Sequence, residues 1–198
     1  GDLEIKFSRP DKKNALSNDM YLAAALALEN ADKDDAIRVI LFSGAEDCFT
    51  AGNDIADFVQ LNENEHHAPR FIKALANTQK PIVAAVPGLA VGIGTTMLLH
   101  CDLVYVSETS KLLAPFVNLA LVPEAASSLL MPLRLGYVKA FAMFALGESI
   151  TGVEATAMGL ANRVLPPEQV LDEARSAAMV LAQKPVESLR LTKQLMRS

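Results

Sequence analysis

A glycine-rich stretch at residues 87–96 is the part of the sequence best suited to chemistry. It reads Pro-Gly-Leu-Ala-Val-Gly-Ile-Gly-Thr-Thr and follows the apolar run Ile82–Val86, which has the length and composition of a buried strand. A strand, a glycine turn and a helix in succession leave backbone N–H groups free at the start of the helix. Such groups bind an anion or stabilise a negative charge that develops during a reaction. A tight turn needing glycine only for packing would show the same pattern, so other residues must decide.

The elements that would position this loop alternate between strands and helices, which indicates α/β architecture. Strands are predicted at 3–7, 36–42, 82–86, 101–106, 111–116 and 162–165. Helices are predicted at 18–31 with Ser17 as N-cap, around Ile55, Phe58 and Val59, and at 68–78, 122–130, 137–146, 151–158, 168–183 and 186–197. We expect one domain over 1–198, with an α/β core at 1–133 and a mainly helical part at 134–198.

Composition excludes several classes of protein. The chain has 198 residues, of which 51% are hydrophobic and 21% charged, and its net charge of −5 disfavours a nucleic-acid partner. No apolar stretch reaches the roughly 18 residues of a membrane span, so no membrane partner is expected. Two cysteines without CxxC spacing and three histidines predict neither a disulfide scaffold nor a metal site.

The N-terminal sequence and the cysteine usage indicate the cellular compartment. No signal peptide is visible, although the missing initiator Met leaves room for a preceding segment. The cysteine usage suits a reducing compartment. We expect the cytoplasm of a bacterium, or a peroxisome or mitochondrion in a eukaryote.

Common nucleotide and hydrolase motifs are missing from the sequence. Gly92-Ile93-Gly94 lacks the third glycine of the dinucleotide-binding fingerprint, and the phosphate-binding GxxxxGK[ST] motif does not occur. The GxSxG nucleophile motif is also absent, which disfavours a serine hydrolase of that type.

Five stretches, in order along the chain, resemble the crotonase (enoyl-CoA hydratase/isomerase) family. They are Arg-Pro-Asp-Lys-Lys-Asn-Ala-Leu at 9–16, Phe-Thr-Ala-Gly-Asn-Asp-Ile at 49–55, Ala-Val-Gly-Ile-Gly at 90–94 with Cys-Asp at 101–102, Pro-Phe-Val-Asn-Leu-Ala-Leu-Val-Pro-Glu-Ala-Ala at 115–126, and Ala-Met-Gly-Leu-Ala-Asn-Arg-Val at 157–164. The resemblance implies the ClpP/crotonase-like spiral fold of repeated ββα units with a helical C-terminal part. It also implies a homotrimer or a dimer of trimers, and a C-terminus truncated before the usual last helices.

The resemblance further implies an acyl-CoA thioester substrate whose enolate is stabilised by two backbone N–H groups, those of Asn53 and Ile93. Coenzyme A is then part of the substrate, and no separate cofactor is expected. Removing a proton beside a thioester carbonyl places negative charge on its oxygen. Losing one pre-aimed donor to such an oxygen costs roughly 3–4 kcal/mol.

The acid–base group separates the branches of this family. Hydratases similar to crotonase use two glutamates, whose positions here hold Thr96 and Phe116, and neither can carry a proton. Glu124 instead stands where isomerases of the peroxisomal 3,2-trans-enoyl-CoA type have their single catalytic glutamate. Its apolar neighbours would raise its pKa, whereas a helix N-terminus would lower it. Position alone favours a helix-start acid that complements the helix dipole, and it is the resemblance that favours a catalytic role for Glu124.

These residues predict an isomerase that shifts a 3-enoyl-CoA double bond to 2-trans-enoyl-CoA with Glu124 as its single acid and base. The alternatives are a divergent enoyl-CoA hydratase, an acyl-CoA thioesterase and a non-catalytic acyl-CoA-binding protein.

The resemblance also assigns substrate-binding residues. They are Lys13, Ala15, Leu16, Ala51, Gly52, Asn53, Asp54, Ile55, Gly92, Ile93 and Phe116. Lys12 and Lys13 would face the phosphates of coenzyme A, or simply form a solvated basic loop. For Asp54 we prefer a helix-start role without catalysis. Phe58, Val59, Phe71, Leu75 and Phe116 could line an acyl pocket, although core packing is the commoner role at helical spacing.

Overall fold

The computed structural model describes residues 1–45, 47–62 and 65–197. Its strands are β1 Asp2–Lys6, β2 Val39–Ser43, β3 Cys48–Thr50, β4 Ile82–Val86, β5 Leu89–Val91, β6 Leu103–Ser107, β7 Lys111–Leu113, β8 Ile150–Thr151 and β9 Arg163–Leu165. Its helices are α1 Asn18–Ala31, α2 Ile55–Gln60, α3 Ala68–Asn77, α4 Ile93–Thr96, α5 Ser127–Leu135, α6 Tyr137–Phe141, α7 Gly152–Ala157, α8 Val170–Ala182 and α9 Val186–Met196. A 3-10 turn, Met97–His100, continues α4, and a π-helical turn, Ala142–Leu146, continues α6.

From β2 to β7, consecutive strands alternate between two sheets. The first sheet has the order β1-β2-β4-β6-β9 and is parallel throughout. The second has the order β3-β5-β7-β8, with β3, β5 and β7 parallel and β8 antiparallel at the edge. The pairs β2–β3, β4–β5 and β6–β7 therefore each add one strand to both sheets. This spiral of ββα units, with a helical C-terminal part, confirms the predicted fold class.

The first sheet is buried on both faces, which explains its unbroken apolar strands. In β2, Ile40 and Phe42 face the main core, while Val39 and Leu41 face α8. Successive strand side chains point to opposite faces, so one run of Val, Ile, Leu and Phe supplies two cores. This sheet is the rigid base on which the shorter second sheet is carried.

Most predicted elements are confirmed to within a few residues. Helix α1 spans the predicted 18–31, and the Ser17 hydroxyl accepts the Met20 N–H at 3.2 Å, as an N-cap does. The three-residue strands β3 and β5 were not predicted, and both lie in stretches interpreted as loops. The predicted helix start at 122 is wrong, since α5 begins at Ser127.

The error at α5 has a local cause. Ala125 and Ala126 have φ of 54° and 55°, in the left-handed region that interrupts a right-handed helix. The segment 120–126, called the Glu124 loop below, is therefore irregular backbone and not the first turn of a helix. Among the described residues, no helix is long and apolar enough to cross a bilayer.

Candidate active site

The loops that follow β3 and β5 meet at one edge of the second sheet. These two strands pair in parallel, with Cys48 opposite Leu89 and Thr50 opposite Ala90, so their carboxyl ends point the same way. Gly52 has φ of +87°, and a Cβ there would stand 2.8 Å from the Val91 carbonyl oxygen. Only glycine allows this close approach without strain.

Two main-chain donors are free where these loops meet. Neither the Asn53 N–H nor the Ile93 N–H donates a hydrogen bond to any residue that the structure describes. Ile93 is the first residue of α4, whose opening N–H groups have no partner within the helix. A Cβ on Gly94 would stand 2.7 Å from Thr50 Cγ2, so the start of α4 packs directly on the end of β3. The arrangement suits one anionic oxygen held by two N–H groups.

The predicted coenzyme A loop, residues 9–16, runs alongside the Asn53 loop. The Ala51 N–H donates to the Lys13 carbonyl at 3.0 Å, and the Leu16 N–H donates to the Gly52 carbonyl at 2.7 Å. Lys12 and Lys13 are exposed, Ala15 is half-buried and Leu16 is buried. The structure thus brings these predicted residues together and leaves both lysines open to solvent.

Asp54 and Ile55 begin helix α2. The Asp54 carboxylate accepts the N–H groups of Ala56 and Asp57 at 3.1 and 3.3 Å and pairs with Arg9 at 2.6 Å. The hydrogen bond from Arg9 holds the pKa of Asp54 below its ordinary value. These contacts agree with the helix-start role that we preferred for Asp54. Ile55 is 61% exposed.

Glu124 lies on the Glu124 loop and contacts α4, the helix that Ile93 begins. Its Oε1 accepts a hydrogen bond from the Thr96 hydroxyl at 2.5 Å, and its Oε2 is buried without a partner among the described residues. Burial raises the pKa of Glu124, and the Thr96 hydrogen bond opposes that rise. Because α5 begins only at Ser127, the alternative of a helix-start acid is wrong for Glu124. The raised pKa makes this carboxylate a better proton acceptor once it is ionised.

The two positions that hold glutamates in hydratases have different surroundings here. Thr96 is fully buried and holds Glu124. Phe116 is buried, and its ring lies 5.7 Å from that of Phe144, centroid to centroid. Of the candidate acyl-pocket residues, Phe71 and Leu75 lie in the core, whereas Phe58 and Val59 are exposed on α2.

Two residues beside the site were not singled out from the sequence. The Tyr21 hydroxyl donates to Asn53 Oδ1, and burial together with the nearby Glu124 carboxylate raises the pKa of Tyr21. His100 Nε2 lies 2.7 Å from the carbonyl oxygen of Ala125, the residue after Glu124. The sequence spacing could have pointed to His100, because residues 93, 96 and 100 are three and four apart and therefore share one face of a helix.

Comparison with known proteins identifies the family of this chain. A profile of the family described as "Enoyl-CoA hydratase/isomerase" matches residues 2–198. The chain belongs to the enoyl-CoA hydratase/isomerase family. This family member is 36% identical over 205 aligned positions to "Enoyl-CoA delta isomerase 2" of Rattus norvegicus, covering 100% of this chain and 52% of the rat protein. It is 32% identical to "Enoyl-CoA delta isomerase 3, peroxisomal" of Mus musculus, covering 64% of that protein and all of this chain.

Solved structures share the same fold. The enoyl-CoA hydratase/isomerase of Pseudoalteromonas atlantica superposes with a TM-score of 0.94 and 41% identity, over 98% of this chain and 78% of that one. The present chain spans about half the length of the rat relative, 52%. The resemblance to the crotonase family, including its peroxisomal isomerases, is thereby confirmed.

Proposed function

We propose that this chain is an enoyl-CoA isomerase that converts 3-enoyl-CoA into 2-trans-enoyl-CoA. The observation that carries the proposal is the Glu124 carboxylate, buried, with one oxygen on Thr96 and the other without a partner among the described residues. The similarity to proteins named enoyl-CoA delta isomerase supports it.

A single carboxylate suffices for this reaction. Glu124 takes a proton from C2, and the electrons of the broken C2–H bond form the C1=C2 double bond of a dienolate, which keeps the C3=C4 double bond and carries its negative charge on the thioester oxygen. The protonated Glu124 then returns the proton to C4. The electrons of C3=C4 form the new C4–H bond, those of C1=C2 become the C2=C3 double bond, and the thioester carbonyl and the ionised glutamate are restored. No proton is gained or lost overall, so neither a second acid nor a cofactor beyond the substrate's coenzyme A is required.

The backbone donors and the basic loop complete the proposed site. The N–H groups of Asn53 and Ile93 hold the thioester oxygen as it becomes negative, where such donors are worth several kcal/mol. Lys13, with Lys12, supplies positive charge for the phosphates of coenzyme A beside the loop that carries Asn53.

We propose further that the protein self-associates, as a homotrimer or a dimer of trimers. Helices α5 and α6 pack together, and the 3-10 turn Val117–Leu119 packs on the π-helical turn after α6. These elements, together with the Glu124 loop, expose large hydrophobic side chains, namely Val117, Leu119, Leu121, Val122, Leu129, Leu133, Tyr137, Val138, Phe141 and Leu146. Apolar surface of this kind usually marks a protein–protein contact. Sedimentation velocity tests this, and a monomer at micromolar concentration would contradict it.

The test of the isomerase proposal is turnover of a 3-enoyl-CoA carrying deuterium at C2. We expect wild type to form 2-trans-enoyl-CoA of unchanged skeleton, with part of the deuterium at C4. Glu124→Gln should lower the rate by about 10²- to 10⁴-fold, the usual contribution of a positioned acid–base group. Glu187→Gln, which removes an exposed carboxylate on α9, is the matched control and should act as wild type.

The products separate the alternatives. A mass increase of one water on a 2-enoyl-CoA identifies a hydratase, and release of free coenzyme A identifies a thioesterase. Tight binding without any turnover identifies a binding protein. Equal rates for wild type and Glu124→Gln would refute the role of Glu124.

A further inference from the structure

One short helical segment carries three groups toward the site. Ile93, Thr96 and His100 are three and four residues apart, so they lie along one face of α4 and its 3-10 continuation. Ile93 contributes the free N–H, Thr96 donates to Glu124, and His100 contacts Ala125. The last two contacts both end on the Glu124 loop, so this helix holds the loop at two consecutive residues.

The His100 contact has a defined direction. A carbonyl oxygen can only accept, so the 2.7 Å contact requires that His100 Nε2 carries a proton and donates it to the Ala125 oxygen. Burial lowers the pKa of His100, and nearby positive charges lower it further, against the opposing effect of the Ala125 bond. Those charges belong to Arg134 on α5, to Lys193 on α9 and to Arg197, which directly follows α9. The ring is therefore neutral at physiological pH, with Nε2 as its donor.

The Glu124 loop needs such a restraint. Ala120, Ala125 and Ala126 all have φ near +55°, a conformation that alanine adopts only when its surroundings impose it. The Glu124 side chain joins the loop to Thr96, and the Glu124 carbonyl accepts the Ser127 N–H at 2.9 Å, which holds the peptide between Glu124 and Ala125. The His100 bond fixes the carbonyl of Ala125 and thereby the next peptide plane, between Ala125 and Ala126.

The main chain at His100 is held by contacts with the C-terminal end of α9. Its own carbonyl oxygen accepts a hydrogen bond from Arg197 Nη2 at 2.6 Å. Arg197 and Lys193 both pair with Asp102, and Asp102 also accepts the Ile82 N–H at 2.7 Å. The end of α9 is thereby tied to the first residue of β4 and to the segment that carries His100.

We propose that His100 is a positioning residue: by donating to the Ala125 carbonyl it holds the strained Glu124 loop so that the Glu124 carboxylate stays buried against Thr96. The inference rests on the proposed function in assigning Glu124 the proton transfer. Without the His100 donor, the loop relaxes, the carboxylate gains access to water, and its position relative to C2 and C4 becomes less defined.

The first test compares two substitutions at residue 100. His100→Leu keeps the apolar volume and removes the donor, whereas His100→Gln places an amide N–H at the distance of Nε2. We expect His100→Leu to lower kcat by about ten- to a hundredfold with little change in KM, since misplacement of a catalytic group affects the reaction step. The acidic limb of its pH profile should move to lower pH. His100→Gln should restore most of the lost kcat and return the acidic limb close to its wild-type position.

The neighbouring Cys101→Ala is the matched control for a general weakening of the core. Its buried thiol donates a hydrogen bond to the Met97 carbonyl and none to the Glu124 loop. It should leave kcat and the pH profile unchanged. A wild-type kcat and pH profile in His100→Leu, or an equal loss in His100→Gln and His100→Leu, would overturn the proposal.

A second measurement does not depend on activity. The melting temperatures of wild type and Glu124→Gln are compared across pH 4–9, in the His100 background and in the His100→Leu background. With His100 present, the advantage of Glu124→Gln should grow as pH rises, because the buried carboxylate resists ionisation. In the His100→Leu background, the difference in melting temperature between Glu124→Gln and the protein with Glu124 should rise less with pH. Equal growth in both backgrounds refutes the role of His100, whereas a wild type without isomerase activity refutes only the proposed function.

Discussion

The two sides of the candidate site are built by different means. On one side, the pairing of β3 with β5 aims the N–H groups of Asn53 and Ile93, and glycine lets the loops touch. On the other side, Glu124 stands on irregular backbone and is held by the side chains of Thr96 and His100. The first side should therefore tolerate changes of side chain but not a new Cβ at Gly52. The second side should instead be sensitive to changes in the side chains of Thr96 and His100.

Among the changes that leave Glu124 itself in place, the largest effect is expected from Gly52→Ala. The new Cβ would stand 2.8 Å from the Val91 carbonyl oxygen, and separating the two loops displaces the Asn53 donor. Loss of one oxyanion donor lowers kcat by about 10²- to 10³-fold, which steady-state kinetics would measure. Gly159→Ala is the matched control, because Gly159 also has a left-handed φ, +82°, but no atom within 4 Å of the added Cβ. Equal activity of the two variants would contradict the importance of the loop contact.

Thr96→Val tests the other side with a side chain of the same shape. It removes the donor to Glu124 Oε1 and leaves both carboxylate oxygens unpaired. A hydrogen bond to a charged group is worth about 1.5–3 kcal/mol, so kcat should fall by roughly ten- to a hundredfold. Because this bond lowers the pKa of Glu124, its loss should raise that pKa and move the acidic limb of the pH profile upward. Thr96→Ser should retain wild-type behaviour, and an unmoved limb in Thr96→Val would count against the bond.

The Glu124 carboxylate should also lower the stability of the fold. Burial raises its pKa in the folded state, so as pH rises the unfolded chain ionises first and unfolding becomes more favourable. Glu124→Gln should therefore melt higher than wild type at neutral pH, and the two should converge in acid below the ordinary carboxyl pKa. At about 2–4 °C per kcal/mol for a chain of this size, the gain should be a few degrees by calorimetry. A difference that is constant from pH 4 to pH 8 would show that burial does not perturb this group.

The smallest effect on rate is expected from Asn53→Ala. The substitution keeps the backbone N–H and removes only the side-chain bond with Tyr21. A neutral hydrogen bond contributes about 1 kcal/mol, so a modest loss of stability should accompany a kcat close to that of wild type. If kcat instead falls as far as in Gly52→Ala, the Asn53 side chain, and not its N–H, serves the reaction.

The sequence predicted the elements whose signals are local. The apolar run Ile82–Val86 and the Ser17 cap of α1 each specify their element within a few residues of chain. Strands β3 and β5 are only three residues long, and their extended form is set by pairing with each other. The helix start at 122 was mispredicted because alanine favours helices, while the left-handed φ at Ala125 and Ala126 depends on tertiary contacts.

The candidate site divides in the same way. The resemblance predicted Asn53, Ile93 and Glu124. In the structure Asn53 and Ile93 follow paired strands of the second sheet, and Glu124 contacts Thr96 in the helix that Ile93 begins. The partners of Glu124 were missed because Thr96 lies 28 residues away and the His100–Ala125 contact spans 25. Such distances carry no pattern in a single sequence, and only the helical spacing of 93, 96 and 100 could have pointed to them.

The alternation of strands between two sheets has a geometric consequence for the two main-chain donors. Asn53 and Ile93 follow neighbouring strands, and neighbouring strands in any sheet lie about 4.8 Å apart. The spacing of the two strands that lead to these donors is therefore set by main-chain hydrogen bonding, as in every sheet. Side-chain substitutions that leave the β3–β5 pairing and the Gly52 contact intact should leave that spacing unchanged.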